Sequence, residues 1–130
     1  MNNELTIKDT DLMTALTQTG LSDLIKPLVN EIHLFDTYVA GTTYLKDKSV
    51  LDEIQIDDRL TLVREENKFD KKAIVVQTKE GRKLGYIPEK DNLIFSRLMD
   101  AGKLLMAKIS KHELEGSFHK IGIGIYLVDY

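Results

Sequence analysis

The C-terminal run Ile121-Gly122-Ile123-Gly124-Ile125-Tyr126-Leu127-Val128 alternates without a break. Extended, it places Ile121, Ile123, Ile125 and Leu127 on one face and Gly122, Gly124, Tyr126 and Val128 on the other. A period of two over this length commits the segment to a sheet with one buried face. Two glycines on the opposite face leave room for a bulge, a tight barrel corner or a ligand, and the barrel corner is the expectation taken forward.

The segments before it follow the same logic. In "KLLMAKISK", Leu105, Ala107 and Ile109 share a face. Leu60–Val63 and Ala73–Thr78 read as strands, and "LGYIP" reads as a short strand closed by Pro88 after a tight turn at Gly81. "HLFDTYVAG" reads as a strand from His33, followed by a turn-like "KDKS". Asp91 or Asn92 caps a helix running to Asp100, with Leu93, Ile94, Phe95, Leu98 and Met99 on its apolar side and Gly102 at C′.

Residues 1–32 read as helical. Asp9, Thr10 and Asp11 offer capping oxygens before Leu12, Met13 and Leu16, and a second short helix after Ser22 carries Leu24, Ile25, Leu28, Val29 and Ile32. The expected fold is therefore mainly β with helices, α+β in class. It is a small barrel or curled sheet of about six strands with an internal helix over residues 33–130, with residues 1–32 as an N-terminal helical extension packed on it.

At 130 residues the chain suits one domain, and 42% apolar with 30% charged residues is ordinary for a globular protein. It contains no cysteine, which excludes disulfides, thiolate metal sites and a cysteine nucleophile. No apolar run reaches membrane-spanning length, and the first residues lack a secretory pattern, so a cytoplasmic location without a membrane partner is expected. Net charge is −3, but its distribution is uneven. Residues 1–37 hold 2 basic and 6 acidic residues, whereas Arg64–Lys83 hold 7 basic and 4 acidic. The second stretch is either a solvated surface or a basic patch facing a polyanion.

Signals for catalysis are missing. There is no GxxxxGK[ST] phosphate loop, and "GIGIY" precedes no helix. Asp57-Asp58 and Glu65-Glu66 are adjacent pairs whose members point to opposite faces of a strand. His112 and His119 flank a presumed loop, "ELEGSF", and with Glu113 or Glu115 make at most a weak metal site; simple solvation is the competing reading. The chain is accordingly expected to be no enzyme and to need no cofactor or metal.

A binding reading has more support. Single strands of nucleic acid are held by aromatic platforms beside cations, with stacking worth about 1–3 kcal/mol per base. Tyr44, Phe69, Tyr86 and Phe118 fall at strand ends or loops, and Lys68, Lys71, Lys72, Arg82, Lys83 and Lys90 lie near three of them in sequence. Each aromatic has a competing role as a core anchor, strongest for Tyr86 and weakest for Phe69, which stands among five polar neighbours.

Four segments carry a family resemblance. "VAGTTY" (39–44), "LVREENKFDKKAIVV" (62–76), "GRKLGYIPEKDNLIFSRLMDAG" (81–102) and "AKI" (107–109) are similar in order and spacing to the HIRAN domain. The similarity covers about residues 36–128, and N-x-F-D-x-x-A-I is its most specific block. The resemblance implies an OB-like β-barrel with an appended helix that binds the 3′-hydroxyl end of single-stranded DNA, in DNA repair or replication processing.

By position, the resemblance implies that Tyr44 stacks on a base, Phe69 forms a pocket wall, Asp70 accepts a hydrogen bond from the terminal hydroxyl, and Phe118 wedges against the next base. Tyr86 stands where some relatives carry His. Two departures remove cations: Thr43 replaces an Arg before the first aromatic, and Glu89 replaces a Lys. Lys71, Lys72 and Lys90 are the candidates to compensate. For Asp70 a turn role, bonding its own backbone, stays open. The alternative function is a protein-interaction module whose acidic N-terminal helices or groove dock a partner.

Overall fold

The computed structural model describes residues 30–129. The helices expected within residues 1–29 lie outside the described residues. Glu31–Asp129 form one compact unit.

Six strands make one antiparallel sheet: β1 (Asn30–Tyr38), β2 (Arg59–Arg64), β3 (Ile74–Thr78), β4 (Lys83–Tyr86), β5 (Leu105–Glu115) and β6 (Phe118–Asp129). Their order is β1-β6-β5-β2-β3-β4. One helix, α1 (Asn92–Asp100), and two short 3-10 turns, Thr42–Tyr44 and Lys48–Asp52, complete the described elements.

The sheet curls but is not the closed barrel the sequence suggested. Its edge strands β1 and β4 share no ladder. They meet at one bridge just past β1, where Ala40 N–H donates to Tyr86 O at 2.8 Å and Tyr86 N–H donates to Ala40 O at 2.9 Å. Gly85 permits this approach. A Cβ there would sit 2.3 Å from Ala40 O, a distance no side chain tolerates.

The alternating faces fall as expected. Ala107, Ile109, Ile121, Ile123 and Ile125 are fully buried and form the centre of the core with Leu60, Leu62, Ile74, Val76 and Leu84. The β5–β6 hairpin turns through Gly116-Ser117, with Gly116 at φ +64, the sign a II′ turn needs at its first position.

Gly122 marks a bulge rather than a barrel corner. The β5–β6 register shifts between Ile109 and Lys111, leaving Ser110 extra and Lys111 opposite Gly122. Gly124 clears space for the edge-on contact of His33 with Tyr126, whose ring centroids lie 5.3 Å apart.

One boundary and one helix face differ from expectation. The first strand begins at Asn30, not His33, so Ile32 is extended rather than helical. Glu31 explains the shift: it pairs with Lys108 on β5 at 2.8 Å and with Arg59 on β2, contacts available only to an extended chain. The second difference concerns α1. Leu93 and Ile94 are exposed, while Asn92, Phe95 and Ser96 are buried. The buried face is polar at its start because Asn92 reaches across to another loop.

The helix ends as its glycine predicts. Gly102 N–H donates to Met99 O at 2.9 Å and Lys103 N–H to Leu98 O at 3.0 Å, a Schellman closure. Asp91 precedes α1 but does not cap it; its Oδ2 accepts from Thr37 Oγ1 of β1 at 2.7 Å. Among the described residues, no helix is long and apolar enough to cross a membrane.

Candidate functional site

Two anchored turns and one contact from α1 build the site near the rim where β1 and β4 touch. The first carries Tyr44. Gly41 enters it with φ +81, Tyr44 N–H donates to Gly41 O at 3.1 Å, and Thr42 Oγ1 reaches His119 O of β6 at 3.5 Å. Thr42 is buried, so the turn is seated on the sheet, while Tyr44 itself is 89% exposed. Thr43 beside it is also exposed.

The second turn is the connector between β2 and β3. Asn67 Oδ1 accepts from the N–H of Phe69 at 2.9 Å and of Asp70 at 2.7 Å. Asp70 Oδ1 accepts from Lys72 N–H at 2.9 Å. Two Asx turns thus shape the loop, as the sequence allowed for Asn67 and Asp70. Arg64 holds it from below: Nη1 and Nη2 donate to Ala73 O and Lys71 O at 2.7 and 2.9 Å, and the same guanidinium grips Asp100 at 2.9 and 3.2 Å. Phe69 projects from this pinned loop at 85% exposure.

The contact from α1 ties the loop to the helix. Asn92 Nδ2 donates to Asp70 Oδ2 at 2.8 Å. The Lys72 amide, then the Asn92 amide and the charges of Lys72 and Arg64, lower the Asp70 pKa below the usual range. Asp70 is therefore an anion with acceptors only, and each of its oxygens keeps a lone pair beyond the bond it already makes.

Tyr86 joins the connector to the rim. Its hydroxyl donates to Glu65 Oε1 at 2.9 Å and accepts from Lys83 Nζ at 2.8 Å, while that ammonium lies 4.2 Å from the Tyr86 ring centroid. Asn67 Nδ2 donates to the same Glu65 oxygen at 3.0 Å. Glu65 is held below the usual carboxylate range by Asn67 and Tyr86, with Lys83 adding charge. Tyr86 is neither a plain core anchor nor a free platform. Its half-buried ring forms a wall of a cleft of about 460 Å³ that Tyr44, Lys46 and Lys83 also line.

Tyr44 and Tyr86 thus share a cleft, and Asp70 is linked to Tyr86 through Asn67 and Glu65. Phe69 and Phe118 do not line that cleft. Phe118 opens β6 opposite Glu115 and is 40% exposed. Lys71 and Lys72 are exposed within the connector. Lys90 lies elsewhere, 5.5 Å from the Tyr38 ring centroid. Arg82 and Lys83, two of the cations noted near the aromatics in sequence, do line this cleft, whereas sequence reasoning missed Lys46; its position two after Tyr44 was the available signal.

The histidines are not in a loop. His112 lies on β5 and His119 on β6, with His112 Nε2 and His119 Nδ1 2.8 Å apart. Their ring centroids are 5.1 Å apart, so the two nitrogens face each other as donor and acceptor. Glu113 faces Lys111 instead, at 3.7 Å. Among the described residues, no group of three or more His, Cys, Asp and Glu is placed to hold a metal ion.

The family model for the HIRAN domain matches residues 32–127. This chain belongs to the HIRAN family. Two solved structures share the HIRAN fold. A crystal structure of a protein from Lactobacillus plantarum is 25% identical, covering 78% of this chain and 99% of its own, with a TM-score of 0.72. The crystal structure of the HIRAN domain of human HLTF is 16% identical, covering 77% of this chain and 78% of its own, with a TM-score of 0.62. No curated protein matches the chain.

Proposed function

We propose that this chain is a nucleic-acid-binding module that takes single-stranded DNA by its 3′-hydroxyl end and performs no chemistry on it. One observation carries the reading. Tyr44 and Phe69 are presented almost fully to solvent, yet each stands on a turn pinned by hydrogen bonds. An exposed aromatic on a rigid mount gains little for folding and is well suited to stack on a base. Family membership supports the same ligand class. Asp70 supplies the hydroxyl acceptor, and its negative charge opposes a terminal phosphate. On this reading the chain serves DNA repair or replication processing.

The test is fluorescence anisotropy at low salt, with a labelled single strand ending in 3′-hydroxyl or 3′-phosphate, on wild type, Phe69→Ala and Asp70→Ala. Tighter binding of the hydroxyl end, lost in both variants, is the expected result. Equal binding of both ends would leave a general single-strand binder and reduce Asp70 to its turn role.

A second reading, a protein-interaction module with no DNA role, draws on a different surface. Ile32, Leu34 and Phe35 on edge strand β1, and Leu93 and Ile94 on α1, are exposed apolar residues away from the Tyr44 cleft. Folded protein that binds neither DNA end would favour it.

A further inference from the structure

We infer that a second cleft, between the end of β1 and the bulged part of the β5–β6 hairpin, carries the phosphates of the strand upstream of its bound end. This deepens the single-strand reading and rests on it. The cleft measures about 440 Å³, and Lys90, Lys111 and Lys120 line it around Tyr38. The three ammonium groups come from three separate elements, so the fold and not a charge run in sequence gathers them. Two carboxylates also line the cleft, and both are already engaged. Asp91 accepts from Thr37 Oγ1 at 2.7 Å, and Asp36 Oδ1 meets His33 Nε2 at 2.7 Å. A third, Glu113, meets Lys111 at the cleft's edge at 3.7 Å, a long and exposed pair that a phosphate can displace.

Gly122 keeps the floor open. A Cβ there would lie 3.0 Å from Lys111 Cβ and 3.2 Å from Ser110 Oγ, so glycine lets the bulge fold over β6 and turn Lys111 into the cleft. Tyr38, with Lys90 above its ring, adds a face on which a base can stack.

The position fits a continuing strand. Asn92 holds Asp70, and the residue before it, Asp91, holds Thr37 beside Tyr38. A strand whose terminal hydroxyl meets Asp70 needs to pass only the start of α1 to enter this cleft. Phe118 lies on the same face of β6 as Lys120 and Gly122, two and four residues away. These contacts supply the cations that Thr43 and Glu89 do not.

The experiment compares a trinucleotide with a decanucleotide, both ending in 3′-hydroxyl, on wild type and the exposed double variant Lys111→Gln/Lys120→Gln, with thermal melting to verify folding. Wild type should bind the longer strand more tightly. The variant should lose that gain while holding the trinucleotide as wild type does. Each lost phosphate contact should flatten the log–log salt dependence by about 0.7, so the pair lowers it by about 1.4. A folded variant that keeps the length gain and the salt slope would overturn the proposal and leave end binding intact. Failure of wild type to bind either strand would overturn both.

Discussion

Asn92 Nδ2 donates to Asp70 Oδ2 at 2.8 Å from a residue that is only 1% exposed. The first residue of α1 thus fixes a carboxylate on a loop 22 positions away. The same amide leaves its Oδ1 buried and unpaired. A hydrogen bond to a charged group is worth about 1.5–3 kcal/mol and a buried unpaired oxygen costs about 1–3 kcal/mol, so the bond largely offsets the orphan. Asn92→Ala removes both, and should lower stability by only about 1 kcal/mol in urea unfolding. Discrimination between 3′-hydroxyl and 3′-phosphate strands should fall with it, because Asp70 loses its orientation.

Tyr44→Ala and Phe69→Ala should leave stability within about 0.5 kcal/mol of wild type, since neither side chain is buried. Each should weaken single-strand binding by about 1–3 kcal/mol, which is one lost stack. Melting and anisotropy on the same samples separate the two effects. A large loss of stability would show that these rings serve the fold.

Glu31 governs an acid-sensitive part of the sheet. Hydrogen bonds from Arg59 and Lys108 bring its carboxyl from the ordinary 4.5 down to about 2. A lowered carboxyl contributes its full stability above pH 4.5 and loses it as pH falls through about 2. Glu31→Gln should therefore be less stable than wild type by about 1 kcal/mol at neutral pH. The gap should close progressively as the solution is acidified toward pH 2, as followed by urea midpoints across that range.

Gly85→Ala should be among the most damaging single changes. Its methyl would lie 2.3 Å from Ala40 O and 2.7 Å from Val39 Cγ1, so strand β4 must move away. Overpacking of this kind costs about 1–3 kcal/mol and would also displace the neighbouring Tyr86. Circular dichroism melts should show the loss, and oligonucleotide affinity should drop further than the melting shift alone accounts for.

Local pattern made much of this structure readable. The period of two in Ile121–Leu127, the glycine at 102 and the Asn67–Asp70 turn each describe their own surroundings, and each appears where the residues place it. What escaped reading depends on partners far along the chain. Glu31 joins a strand because Arg59 and Lys108 await it, and the apolar Leu93 and Ile94 face outward because Asn92 and Ser96 hold the inner side of α1. Tyr86 could not be assigned from "LGYIP", since its hydroxyl answers to Glu65, 21 residues earlier. Curl without closure is equally silent in sequence, because alternation reports a buried face and not how far the sheet bends round it.

The Ala40–Tyr86 bridge gives the two rims of the sheet a clasp of two amide protons. A seam this short opens in small fluctuations long before the strands separate. Amide exchange at Ala40 and Tyr86 would then run ahead of the core amides of β5 and β6. A bound strand spanning Tyr44 and Tyr86 would lie across the clasp and slow both exchanges together, turning two backbone protons into a gauge of occupancy.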